Sequence, residues 1–128
     1  MTTILEEATY PATQTILASA ARTATVTVEF KTPPWAIAVY FVLDVTLDAA
    51  SASITPNFDA HDRISDKTFT LLDGAAVAAV GTTVYKIGPG LTAAANTVAN
   101  EYLPEWLSFT MAVADADAIT YSLAALWV

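Results

Sequence analysis

Residues 107–127 read LSFTMAVADADAITYSLAALW, and the fold class follows from how that stretch alternates. Leu107, Phe109, Met111 and Val113 take every second position, with Ser108, Thr110, Ala112 and Ala114 between them. The same period returns downstream as Ile119, Tyr121, Leu123, Ala125 and Trp127 against Thr120, Ser122, Ala124 and Leu126. A period of two places one set on each side of an extended chain, whereas a helix brings apolar groups round every three to four residues. Both stretches read as strands with one buried face.

The pattern continues outward. Thr82–Ile87 sets Thr83, Tyr85 and Ile87 against Thr82, Val84 and Lys86. Lys67–Leu72 carries Phe69 and Leu71 and is ended by Asp73-Gly74, and Ser53–Asp59 carries Ile54 and Phe58. Trp35–Leu47 has Ile37, Val39, Phe41, Leu43, Val45 and Leu47 on one face and Ala36, Ala38, Tyr40 and Val42 on the other. Its first half is apolar on both faces, which predicts a central strand covered on both sides. From Gln14 the period is again two, with Val26, Val28 and Phe30 on one face, until Thr32-Pro33-Pro34 stops it because proline has no ladder donor.

Ala75–Val80 is a weaker apolar run, and Thr92–Ala99 admits a short helix between Gly90 and Asn100. About eight strands rich in threonine, valine and aromatics predict an all-β fold. The expected architecture is an antiparallel two-sheet β-sandwich of jelly-roll or Greek-key topology. Residues 14–128 form its single domain, and residues 1–13, with Pro11 favouring a turn, form an N-terminal arm that reads equally as a frayed terminus or as a segment that orders against a neighbour.

The composition is unusual in its charge. Only 14% of the 128 residues are charged, against about 25% in an ordinary globular chain. The bases are Arg22, Lys31, Arg63, Lys67 and Lys86, and the net charge is −8. A free monomer uses more charge than this to cover its surface, so part of the surface is expected to meet protein. No basic run exists to displace counterions from a phosphate backbone, so no nucleic acid is expected as a partner. Cysteine is absent, which removes disulfides, thiolate nucleophiles and cysteine-type zinc sites. The start of the chain lacks the basic and apolar regions of a signal peptide. The longest strongly apolar run, Trp35–Leu43, is far shorter than the ~20 residues of a membrane helix, so no membrane is expected either.

One segment fits neither a turn nor a catalytic loop. Residues 88–104 read GPGLTAAANTVANEYLP, with Glu101 as the one charge. Connections this long without structure are uncommon and often functional. Its Leu91, Val98, Tyr102 and Leu103 call for burial, and burying them in the domain's own core would strand an irregular backbone without partners. The candidate protein-contact residues are therefore Leu91, Val98, Tyr102 and Leu103, with Trp106 just beyond and Ile4 and Leu5 in the arm.

Chemistry finds less support. His61, the one histidine, lies in DAHDRISD beside Asp59, Asp62 and Asp66. The spacing misses the calcium-loop pattern of alternating acids and a glycine, and a solvated loop balanced by Arg63 and Lys67 is the simpler reading. No serine sits in a nucleophile-elbow motif, and Gly74, Gly81, Gly88 and Gly90 are too scattered for a phosphate loop. No catalytic residue, metal or cofactor is expected. Trp35 and Trp106 start strands near prolines and form a conceivable sugar-stacking platform, whereas Trp127 shares a face with Ile119, Tyr121 and Leu123 and reads as core.

Several blocks together resemble small virion proteins of tailed double-stranded DNA bacteriophages, the β-sandwich capsid decoration or cement proteins. They are Tyr85-Lys86-Ile87-Gly88-Pro89-Gly90-Leu91 with its Ala/Asn-rich continuation, Leu103-Pro104-Glu105-Trp106, Ile119-Thr120-Tyr121-Ser122, and Leu43-Asp44-Val45-Thr46 followed by Ile54-Thr55-Pro56. The resemblance spans residues 20–128 and leaves out the arm. These blocks are structural punctuation and carry no chemistry. The resemblance implies a non-enzymatic protein on the outer capsid surface, made in the host cytoplasm. It further implies a homotrimer whose partner is the major capsid protein. The alternatives are a tail or baseplate module that holds a host glycan at its tryptophan-bearing end, and a monomeric β-sandwich module that binds a small ligand.

Overall fold

A computed structural model describes residues 2–7 and 13–128. Among the described residues ten strands occur in chain order: β1 (Thr2–Ile4), β2 (Thr13–Arg22), β3 (Val26–Lys31), β4 (Val39–Leu47), β5 (Ile54–Asp62), β6 (Lys67–Asp73), β7 (Gly81–Gly88), β8 (Val98–Asn100), β9 (Trp106–Val113) and β10 (Ile119–Trp127). They form two five-stranded sheets, ordered β1-β3-β9-β5-β6 and β2-β10-β4-β7-β8. The chain is an all-β two-sheet sandwich.

Pairing shows how it is wound. β2 pairs with β10, β3 with β9, β4 with β7 and β5 with β6, all antiparallel. These nested pairs describe one long hairpin whose tip is the β5–β6 turn. The hairpin then rolls up, so that β9 also meets β5 and β10 also meets β4. That is the jelly-roll winding, which joins strands distant in sequence within two small sheets. The remaining two strands, β1 and β8, add to the sheet edges in parallel with β3 and β7, so the sheets are not purely antiparallel.

The core comes from the inward-facing half of each alternation. Phe41 stacks on Phe58 at 4.4 Å between centroids, with Phe30, Tyr85, Phe109 and Trp127 arranged around them. Offset and edge-on arrangements of this kind add to the stabilisation from burial alone. Trp127 is 2% exposed, as its strand face predicts, and its indole N–H donates to Gln14 Oε1 at 3.0 Å.

Several sequence expectations are corrected. The pattern from Gln14 to Lys31 is two strands, because the chain turns at residues 23–25 and β2 and β3 go to different sheets. Ala75–Val80 is no strand; only Val77 bridges to Ile54. β4 starts at Val39, and it is central but not covered on both sides, since Tyr40 is 37% exposed. Thr92–Ala99 holds no helix. Pro11 lies outside the described residues.

The 88–104 segment is more regular than its sequence suggests. A side chain at Gly88 would meet Ala38 Cβ at 2.6 Å, so the glycine lets β7 end in close contact with the β3–β4 loop. The chain then doubles back as β8. Lys86 N–H donates to Thr97 O at 2.8 Å and Glu101 N–H to Gly88 O at 3.2 Å, while Asn100 Oδ1 accepts from Gly90 N–H at 2.8 Å. Asn96, at a φ of 66° that asparagine tolerates, turns the chain and donates to Asp73 O at 3.1 Å. Much of this backbone is thus paired within the domain, contrary to the premise that an irregular segment would leave it stranded.

Candidate interaction surfaces

The outer face of the first sheet carries a charged network. Glu29 on β3 and Asp59 on β5 flank Ser108 of β9 in register, and His61 follows two residues after Asp59. His61 is on the strand and its side chain is 4% exposed, so the reading of a solvated loop is wrong here. Its Nε2 lies 2.8 Å from Asp66 Oδ1 and its Nδ1 lies 2.9 Å from Glu29 Oε1. The second contact is short but off the hydrogen-bond axis, so Nδ1 has an ionic neighbour without a formed hydrogen bond. Arg63 Nη1 lies 3.0 Å from the same Glu29 oxygen, and its guanidinium covers the Trp106 ring at 4.3 Å from the centroid.

The β5–β6 turn is built to hold this arrangement. Asp62 accepts from Ile64 N–H at 2.9 Å and from Ser65 Oγ at 2.7 Å, and these bonds, Ser65's first, hold its carboxyl below the usual carboxylate range. Asp66 closes the turn at a φ of 59°. Asp59 is pushed the other way, by partial burial and then by Asp73. Glu29, His61 and Asp66 offer ligand atoms within 4.8 Å of one another. Arg63 already places a fixed positive charge on the Glu29 oxygen, however, and a dication there would have to displace or face it. Chemically, the cluster ties the turn to β3 and offers no free nucleophile.

The outer face of the second sheet is different in kind. Its registers read Lys86–Tyr40–Leu126, Val84–Val42–Ala124 and Thr82–Asp44–Ser122 across β7, β4 and β10. Among the described residues, Asp44 and Lys86 are the charged side chains projecting from these rows, so a face of a chain at −8 is locally neutral. Val84 is 41% exposed.

The contact residues expected from sequence fall in several places. Tyr102 is 83% exposed, whereas Leu91, Val98 and Leu103 are half-buried, and Leu103 packs on the core. Val98 lines a groove with Leu71 between β6 and β8. Leu103 lines another with Pro33, Pro34 and Glu105, and Trp106 a third with Ile64 and Glu105. Ile4 is 57% exposed on the opposite edge of the first sheet, while Leu5 packs on the core and its N–H donates to Glu29 O at 2.9 Å. The structure therefore brings Leu103 and Trp106 to one end of the sandwich but does not merge the seven residues into one patch. Sequence reasoning missed Tyr40, Val42, Val84 and Leu126. For Tyr40 and Val42 the signal is the two-sided apolar start of the β4 segment, and for Val84 and Leu126 it is an apolar residue on the outward half of the strand's alternation.

The β3–β4 loop reaches the same end. Thr32 Oγ1 donates to Pro104 O and Thr32 N–H to Glu105 O at 2.8 Å, fastening that loop to the start of β9. Trp35, 40% exposed, follows in this loop, so both half-exposed indoles lie at one end. No protein-family model matches the chain, and no curated protein matches it in sequence.

Proposed function

We propose that the chain is a non-enzymatic virion structural protein that decorates the outer surface of a bacteriophage capsid. On this reading it acts as a homotrimer bridging subunits of the major capsid protein. The observation that carries the proposal is the amount of large apolar surface left open on a rigid sandwich: Ile37, Ile64, Phe69 and Tyr102 are 67%, 97%, 63% and 83% exposed. Large apolar side chains left this open on a folded domain suit contact with other protein. The acid sign suits the outside of a particle whose inside is filled with nucleic acid. The sequence resemblance supplies the identity of the particle.

Co-sedimentation with capsids assembled from the major capsid protein of the same phage tests this directly. Saturable binding, reduced by Tyr102→Ala without loss of thermal stability, is the expected result. Absence of binding to such capsids would sink the proposal. Two half-exposed indoles at one end also suit glycan binding, but one face of Trp106 is covered by Arg63. Quenching of tryptophan fluorescence by host-surface oligosaccharides, with no capsid binding, would favour that alternative.

A further inference from the structure

We infer that the outer face of the second sheet is a self-complementary docking surface on which two copies of this chain pair across a two-fold axis. The inference goes beyond the capsid reading and does not depend on it. Three features of the face carry it.

The first is its chemistry. Tyr40, Val42, Val84, Ala124 and Leu126 form its centre, where the first sheet carries Glu29, Asp59 and His61 on the equivalent outward positions. The second is its charge. Two copies at −8 each repel over most orientations, and a neutral face is where they can approach without juxtaposing like charges. A basic partner would instead call for acids here.

The third is the placement of the two charges. Lys86 stands in register with Tyr40, and Asp44 in register with Thr82, on opposite sides of the Val42–Val84 row. Each is two residues, about 7 Å, from that row. A two-fold axis lying in the face along the row carries Lys86 of one copy over Thr82 of the other, one strand spacing of about 4.8 Å from Asp44 and within reach of the lysine stem, and the reverse. A slight tilt of the axis lets the strands cross at about the 30° of aligned sheet packing. Isologous contacts need this kind of self-matching pattern.

The area sets the strength. Four strands about 4.8 Å apart and seven residues long span roughly 19 by 23 Å. That is below the ~800 Å² per partner of a standard interface in projection, with Val128 extending it beyond Leu126. Pairing is therefore weak and concentration-dependent. In a trimer held by other contacts, it would join one trimer to a second.

Sedimentation velocity on the whole chain at rising micromolar concentration tests this. Wild type should move toward twice 13.5 kDa, or from a trimer toward twice a trimer. Val42→Glu should abolish that doubling while leaving the thermal unfolding curve close to wild type. Lys86→Glu and Asp44→Lys should each weaken pairing about tenfold or more, because each puts like charges face to face. The double exchange, Lys86→Glu with Asp44→Lys, should restore it, since the cross-pairs are re-formed with their signs swapped. The idea is overturned if no doubling occurs, or if the double exchange stays as weak as the singles. It is also overturned if Val42→Glu spares the oligomer and abolishes capsid co-sedimentation, which would make the capsid subunit the occupant. A trimer insensitive to Val42→Glu would leave the capsid reading standing and remove this one, so the two fail separately.

Discussion

The two outer faces of the sandwich are made by the same alternation, yet they resolve the outward half of it in opposite ways. On the inner strands of the first sheet, outward positions find partners within the domain, although Ile4 on the β1 edge is 57% exposed. Thr27 and Thr110 share a hydrogen bond at 3.2 Å, and Glu29 is shared between His61 and Arg63. On the second sheet they are aliphatic or aromatic, and Lys86 rests 5.2 Å from the Tyr40 ring centroid on its own face. The first face is closed by its own electrostatics, whereas the second is left with surface that water solvates poorly. The difference teaches that low overall charge in this chain is not spread evenly; it is concentrated on one sheet.

The largest effect should come from removing what supports both faces at once. Phe58 lies at 0% exposure between the sheets, stacked on Phe41. Phe58→Ala should cost about 3–5 kcal/mol in urea unfolding. A cost under about 1 kcal/mol would mean that the sheets are not joined through this aromatic cluster.

Next is a change confined to the closed face. Glu29→Ala leaves the buried His61 ring and Arg63 without their shared carboxylate, at a cost of up to about 1 kcal/mol because the Arg63 end of the pair is 40% exposed. The β5–β6 turn should also lose amide-exchange protection, since Arg63 and His61 flank it. Unchanged protection together with unchanged stability would show that the network holds nothing.

A smaller change of opposite sign is expected at Asp59. Partial burial and the neighbouring Asp73 raise its folded pKa above the ordinary 3.8. The charged form is thus penalised in the folded protein. That penalty is fully present at neutral pH, declines as pH falls through the raised value, and is gone below the unfolded one. Asp59→Asn should therefore raise the melting temperature at pH 7, and the gain should vanish in acid. A gain that persists below pH 3.8 would assign it to something other than titration.

The smallest effect on stability belongs to the open face. Val84→Thr should stay within about 0.5 kcal/mol of wild type, because the side chain is already exposed and packs on little. If it destabilises by several times that, the face is already covered within the domain and the contrast between the two sheets disappears.

Much of the fold was legible because strand alternation is local. Phe30, Phe109, Leu123 and Trp127 were assignable to the core from spacing alone, since neighbouring residues on an extended chain must point to opposite sides. The turn between β2 and β3 was less legible, because residues 23–25 carry neither glycine nor proline to announce it. β8 was missed because its three residues become a strand only by lying beside β7. The acidic stretch around His61 was misread for a related reason: the partner that buries it, Glu29, is distant in the chain and arrives through β3.

What the sequence determined by itself is the all-β class, the inward half of each strand, and the shortage of charge. These depend on backbone geometry and composition, which need no knowledge of neighbours. The tertiary structure alone decided the jelly-roll nesting, the parallel edge strands, the joining of Glu29 to His61, and which outward face stays open. Those outcomes depend on which strands lie side by side. Alternation says that a residue points outward, but only the surrounding strands decide whether it meets a partner there or is left facing solvent.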